Sequence, residues 1–306
     1  MGDWQGRKIF RLFRTNSCYL AVQPFYPYPR LFALDSFLSK FIFSLVTGHF
    51  IFPFAFLTFD SCHFLHSLLS LLTFNFCLTN SPMLQRKHSE LTYLDSPSLS
   101  EENSDILVML HGYGSNEKDL IQLASLLDND LRSISPRAPL QLAPEMYGWF
   151  PLEFTSEGIS VDREKARSAK ETLLVFLRHI IDEYKPPEGK IWLMGFSQGS
   201  VMAYLSALAE PSLFHGIIAL SGQFPYHSSL FNRDPERFRT LPFLVVHGLY
   251  DDVLPVSNGR ISEAWLKDHL DSLTYREYTM GHEINAETLE TIRQWLSRMR
   301  SGDAGR

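Results

Sequence analysis

Short apolar runs alternate along the chain with longer stretches in which apolar residues recur every three or four positions. Residues 106–110, 191–194 and 216–220 have the length and continuity of buried strands, and residues 90–94, 132–138, 241–246 and 273–278 are expected to form further strands. Helical spacing is predicted over residues 118–127, 162–184, 200–209, 257–269 and 286–300, with Pro186-Pro187 stopping the second of these. Residues 96–105 and 225–239 are polar and loop-like. Residues 141–159 carry Met146, Tyr147, Trp149 and Phe150 among prolines and glycines, and the pattern predicts an irregular loop with exposed aromatics. That loop is a candidate lining for a substrate pocket, through Met146 and Trp149, or a plain cover over a sheet edge. Strands alternating with helices predict an α/β fold with a mainly parallel sheet flanked by helices.

The densest chemistry lies where residues 191–194 meet residues 200–209. The connecting residues read G-F-S-Q-G, Gly195 to Gly199. A serine at a sharp strand-to-helix turn, with a glycine two residues away on each side, has the pattern of a nucleophile elbow. Side chains at 195 and 199 would clash in such a turn, and Ser197 would be held with its hydroxyl exposed. The N–H of Gln198 would open the helix, where negative charge is favoured. Taken alone, G-x-S-x-G also marks ordinary glycine-bounded turns, so the remaining parts must come from elsewhere in the chain.

They occur at equivalent places. The run 106–110 ends in H-G-Y-G, His111 to Gly114, where a second oxyanion N–H is expected from Tyr113. The run 241–246 ends in H-G-L-Y-D-D, bringing Asp251 and Asp252 to a strand's carboxyl end. The last strand is followed by T-M-G-H-E, with His282 before the final helix. A histidine by itself is usually a surface or core residue. Ser197, Asp251 and His282 in that order, each after a strand, form a far more specific signal.

Composition divides the chain. Residues 1–82 hold 15 of the 24 Phe and all three Cys, contain no Glu, and carry a formal charge of +3. Residues 83–306 therefore carry −9 of the overall −6 and no cysteine, so no disulfide is available to them. No C-x-x-C or H-E-x-x-H occurs, and neither a metal nor a cofactor is expected. The acidic balance gives no reason to expect nucleic acid. The catalytic domain is expected over 83–306, behind an atypical Phe-rich extension over 1–82. Three readings of the extension stay open. Its uncharged stretches 41–59 and 62–79 follow basic residues and approach the length of a membrane anchor. It is basic like a targeting segment, although longer than a signal peptide. The missing Glu and the lack of any clean period favour a third reading, a segment foreign to the domain and poorly ordered. A cytoplasmic enzyme is expected, with membrane contact only if residues 41–79 are an anchor.

The four stretches L-H-G-Y-G (110–114), G-F-S-Q-G (195–199), H-G-x-x-D…P (247–255) and M-G-H (280–282) resemble the signatures of the carboxylesterase/phospholipase/acyl-protein thioesterase family of α/β-hydrolases. The resemblance covers most of residues 90–298. It implies cofactor-independent hydrolysis of small carboxylic esters, thioesters or lysophospholipids through an acyl-enzyme. It also favours Asp251 over Asp252 as the acid. Two departures matter: Leu249 stands where many members carry an aspartate, and residues 140–160 are short for the lid-like insertion of depalmitoylating members. Both make a generic carboxylesterase the expectation. Rival readings are a ligand-binding protein without turnover, a membrane-anchored esterase, and an enzyme for another carbonyl compound such as a lactone or peptide.

Overall fold

The computed structural model describes residues 83–88, 91–99, 104–155, 158–225 and 235–302. The expectations for residues 1–82, and for parts of the two polar loops, lie outside these. An eight-stranded sheet runs in the order β1 (Leu84–His88), β2 (Leu91–Ser96), β4 (Arg132–Pro136), β3 (Ile106–Leu110), β9 (Ile191–Phe196), β10 (Phe214–Leu220), β11 (Phe243–Gly248), β12 (Leu273–Tyr278). Within this sheet β4, β3, β9, β10, β11 and β12 pair in parallel, while β2 is antiparallel to both β1 and β4. From β3 the chain turns to β4 on one side and later returns to place β9 on the other. The carboxyl ends of β3 and β9 thus flank the point where strand order reverses, which is where open α/β sheets form their crevice.

Alternation along the strands builds two cores. Ile106, Val108 and Leu110 face one side, together with apolar residues of α2 (Arg163–Tyr184), α3 (Gln198–Ala209) and α4 (Ser257–Lys267). Leu107 and Met109 face the other, with α1 (Ala124–Leu127) and the Ile292, Trp295 and Leu296 stripe of α5 (Ala286–Arg300). Burial on both faces explains why β3 reads as ILVML without polar alternation. Helix α2 starts where Asp162 accepts from the N–H groups of Glu164 and Lys165, at 3.0 and 3.1 Å, a cap contributing about 1 kcal/mol. It ends at Lys185, in the left-handed region, just before Pro186. Among the described residues no helix is long and apolar enough to cross a membrane.

Four sequence expectations need correction. Residues 84–88 form an edge strand that the pattern missed, because LQRKH is exposed and polar and is held by pairing with β2 and by contacts of Arg86 and His88 with Glu183 and His179. The predicted helix over 118–127 is a 3-10 turn, Leu120–Leu123, running into the four-residue α1. Leu120, Ile121, Ala124 and Leu127 are buried as expected, but Asn116 accepts from the N–H of Lys118 at 3.0 Å and keeps the start as a turn. Residues 141–159 are not an irregular loop. They contain two antiparallel hairpins, β5 (Leu140–Ala143) with β6 (Met146–Gly148), and β7 (Leu152–Thr155) with β8 (Gly158–Val161). Nor are the aromatics there exposed: Trp149 and Phe150 are each only 2% accessible, and Tyr147 is half-buried.

Candidate active site

Ser197 sits between β9 and α3 at φ 55°, ψ −117°. This is a left-handed backbone unusual for a residue with a Cβ, and such strain costs on the order of 1–3 kcal/mol. The turn closes because Gly195 and Gly199 lack side chains. A Cβ on Gly195 would strike the carbonyl of Gly199, and one on Gly199 the carbonyl of Leu110 at the end of β3. The elbow is also pinned to its neighbour, since the N–H of Ser197 donates to the carbonyl of Leu220 at 2.9 Å. Ser197 itself is half-buried.

Asp251 and His282 reach the same edge of the sheet from the ends of β11 and β12. His282 Nδ1 donates to Asp251 Oδ2 at 2.8 Å, which leaves Nε2 of a neutral ring as a proton acceptor. The other carboxylate oxygen accepts from the N–H groups of Val253 and Leu254, at 3.0 and 2.8 Å. Burial pushes the Asp251 pKa up. The hydrogen bond and charge of His282 and the two loop N–H groups outweigh it and hold the pKa below the ordinary carboxylate value. Asp252 is exposed and has no such contact. The His282 ring lies 4.9 Å, centroid to centroid, from the ring of Phe196, the residue before the serine. Among the described residues no hydrogen bond joins Ser197 Oγ to His282, a spacing that is common before substrate binds.

The H-G-Y-G loop leans on the serine: a Cβ built on Gly112 would lie 3.3 Å from Ser197 Cβ. Among the described residues no backbone hydrogen bond uses the N–H of Tyr113, although those of Gly114 and Ser115 are both taken. The loop's shape comes from contacts around it. The N–H of Gly114 donates to the carbonyl of Tyr147 at 2.7 Å, and that of Tyr147 to the carbonyl of Ser115 at 2.8 Å, joining it to the β5–β6 hairpin. His111 is buried, donates from Nδ1 to the carbonyl of Gly112 at 2.8 Å and accepts from the N–H of Ala138 at 3.0 Å. Burial pushes its pKa down to about 4. Behind the loop the buried Glu117 receives a forked contact from Arg137, whose guanidinium also covers the Tyr147 ring at 4.6 Å.

Sequence reasoning valued Gln198 for its backbone and missed its side chain. Its Oε1 accepts from the N–H of Trp149 at 2.8 Å, and its Nε2 donates to the carbonyl of Phe150 at 2.7 Å. The Trp149 indole N–H donates to the carbonyl of His111 at 3.0 Å. Gln198 and Trp149 therefore clamp the hairpin, the H-G-Y-G loop and the elbow together. Trp149 stands behind the loop as an internal brace and not as the exposed lining that its sequence context suggested. Met146 lies half-buried on β6, paired with Ala143. Leu249, the departure from the family pattern, is 37% accessible on the rim beside Tyr250. Among the described residues no cluster of side chains could hold a metal ion.

Comparison with known proteins agrees with this architecture. The sequence profile for phospholipases and carboxylesterases matches residues 96–300. A probable carboxylesterase of Oryza sativa is 29% identical over 154 residues, covering 49% of this chain and 58% of that protein, so the match spans little more than half the rice protein's length. An acyl-protein thioesterase 1 of Emericella nidulans is 24% identical over 68% of this chain and 95% of its own. Among solved structures, esterase PE8 is similar at 30% identity and a TM-score of 0.57, covering 69% of this chain and all of the other. Acyl-protein thioesterase 2 of Zea mays is similar at 25% identity with the same TM-score, covering 68% and 98%. The chain belongs to the phospholipase/carboxylesterase family and has the α/β-hydrolase fold.

Proposed function

We propose that the protein hydrolyses small carboxylic esters, with thioesters and lysophospholipids as related substrates, through an acyl-enzyme on Ser197. The observation that carries this reading is the bond from His282 Nδ1 to Asp251 Oδ2, formed on the same sheet edge as the strained Ser197. His282 Nε2 takes the hydroxyl proton as Ser197 Oγ attacks the acyl carbonyl, and Asp251 stabilises the imidazolium. The N–H groups of Tyr113 and Gln198 donate to the developing oxyanion, each donor supplying about 10²–10³ in turnover. His282 then protonates the leaving alcohol or thiol, and water repeats the sequence on the acyl-enzyme. Leu249, in place of the acidic residue of many relatives, supports a general carboxylesterase over a depalmitoylating enzyme.

Full-length wild type, Ser197→Ala, His282→Ala and the double variant should be compared on p-nitrophenyl esters of increasing chain length. Each single variant is expected to lose nearly all activity, and the double to lose little more. Strongly additive losses would mean that the two side chains do not act as a unit. A binding protein without turnover is the second reading, favoured by the missing Ser197–His282 bond and by a similarity (24% identity) to a probable inactive carboxylesterase of rice. A folded wild type that binds esters without hydrolysing any of them would select it.

A further inference from the structure

Two histidines precede glycine at the carboxyl ends of strands, and the mechanism above uses neither. His111 has both ring nitrogens partnered. His247, on β11, is completely buried and differs. Its Nε2 lies 2.7 Å from the carbonyl of Leu254, and a carbonyl only accepts, so the proton is on Nε2. Its Nδ1 has no hydrogen-bond partner among the described residues. That nitrogen faces Gly259 of α4, where a Cβ would lie 2.9 Å from Nδ1 and 2.7 Å from the His247 Cβ. A buried imidazole that leaves one nitrogen unsatisfied costs stability relative to an apolar ring, so packing alone gives no reason for a histidine here.

The other nitrogen supplies a reason. Leu254 is held at both ends of its residue: its N–H donates to Asp251 Oδ1 at 2.8 Å, and its carbonyl accepts from His247. The same Nε2 is 3.5 Å from Asp251 Oδ2, the oxygen that holds His282. We propose that His247 is a positioning residue that fixes the 251–254 turn, and through it the carboxylate that aims His282. The inference rests on the reading of Asp251 and His282 as acid and base. A misplaced base loses turnover steeply, whereas substrate binding need not change.

The test compares His247→Gln, whose amide reaches the place of Nε2, with His247→Asn, whose amide ends near Nδ1, and with His247→Phe, all in the full chain. Asn and Phe are expected to lower kcat by on the order of 10–100-fold with KM unchanged, and Gln to restore much of the loss. Independently of turnover, the downfield proton resonance of His282 Nδ1–H, followed in Ser197→Ala, should move or broaden in Asn and Phe but persist in Gln. Unchanged kcat and an unchanged resonance in Asn or Phe would overturn the proposal. So would equal losses in Gln and Asn, which would mark a packing role. A wild type inactive on esters would defeat the hydrolase reading, and the resonance would then decide the positioning role alone. Should Phe fail to fold, the Gln and Asn pair still gives the answer.

Discussion

Gln198→Ala removes a carboxamide while keeping the backbone N–H assigned to the oxyanion. The perturbation leaves two buried groups without partners, the N–H of Trp149 and the carbonyl of Phe150. Each costs about 1–3 kcal/mol when unsatisfied. The vacated space can admit water, which offsets part of this, so a loss of about 2–3 kcal/mol is expected. For a domain of this size that corresponds to a fall in melting temperature of roughly 4–12 °C. Turnover should fall by less than on loss of Ser197, up to on the order of 10², since the H-G-Y-G loop loses its tie to the elbow but both N–H donors remain. Gln198→Glu sharpens the test. It keeps the volume and the acceptor for Trp149, but sets a second carboxylate oxygen against the carbonyl of Phe150. Burial raises the pKa of such a group, so its protonated form, which can donate to Phe150, is favoured in the fold. Its stability should therefore be greatest, relative to wild type, below the unfolded pKa and fall as pH rises through the folded one. Thermal melts of the three proteins from pH 4 to pH 8 and kcat at neutral pH provide the readout. An Ala variant that melts with wild type, or a Glu variant without that pH trend, would refute the clamp.

His111 gives a second pH signature. Its pKa, lowered by burial to about 4, lies below the ordinary value of 6.5, so stability is fully present above pH 6.5 and lost as pH falls toward 4. Urea unfolding should show a loss of about 3 kcal/mol over that window that is missing from His111→Asn, and equal slopes in both proteins would contradict it. The four motifs and every described contact of the candidate site lie within residues 83–306, and that fragment expressed alone is expected to fold and to be as active on short esters as the full chain; a folded but inactive fragment would assign residues 1–82 a part in the site.

Ser197 and Asp251 could be read in the sequence because each follows a buried strand, which announces itself as an apolar run, and His282 because its M-G-H stretch follows the half-buried edge strand LTYREY. Gly195 and Gly199 could be read because close packing against Gly199 and Leu110 backbone admits no side chain. What escaped depends on partners far away in the chain. The edge strand 84–88 has no apolar face and exists through its pairing with residues 91–95. Trp149 looks exposed in its local context of Pro and Gly, yet it is buried by bonds to residues 111 and 198. The same holds for the Gln198 side chain and for His247: the sequence shows a polar residue in a motif, but only the fold shows which backbone group it holds. The 3-10 turn at 120–123 escaped because its apolar spacing suits an α-helix equally well, and the decision lies with Asn116 and the turn it caps.

In the proposed reaction one side chain, Ser197, carries the acyl group. Reaction of the full-length protein with a reactive phosphonate ester, followed by intact mass and peptide mapping, tests it directly. One adduct per chain is expected, on the peptide containing Ser197, formed in step with loss of esterase activity and absent from Ser197→Ala. Ester hydrolysis that survives in Ser197→Ala, or inactivation accompanied by an adduct on a different residue, would contradict it.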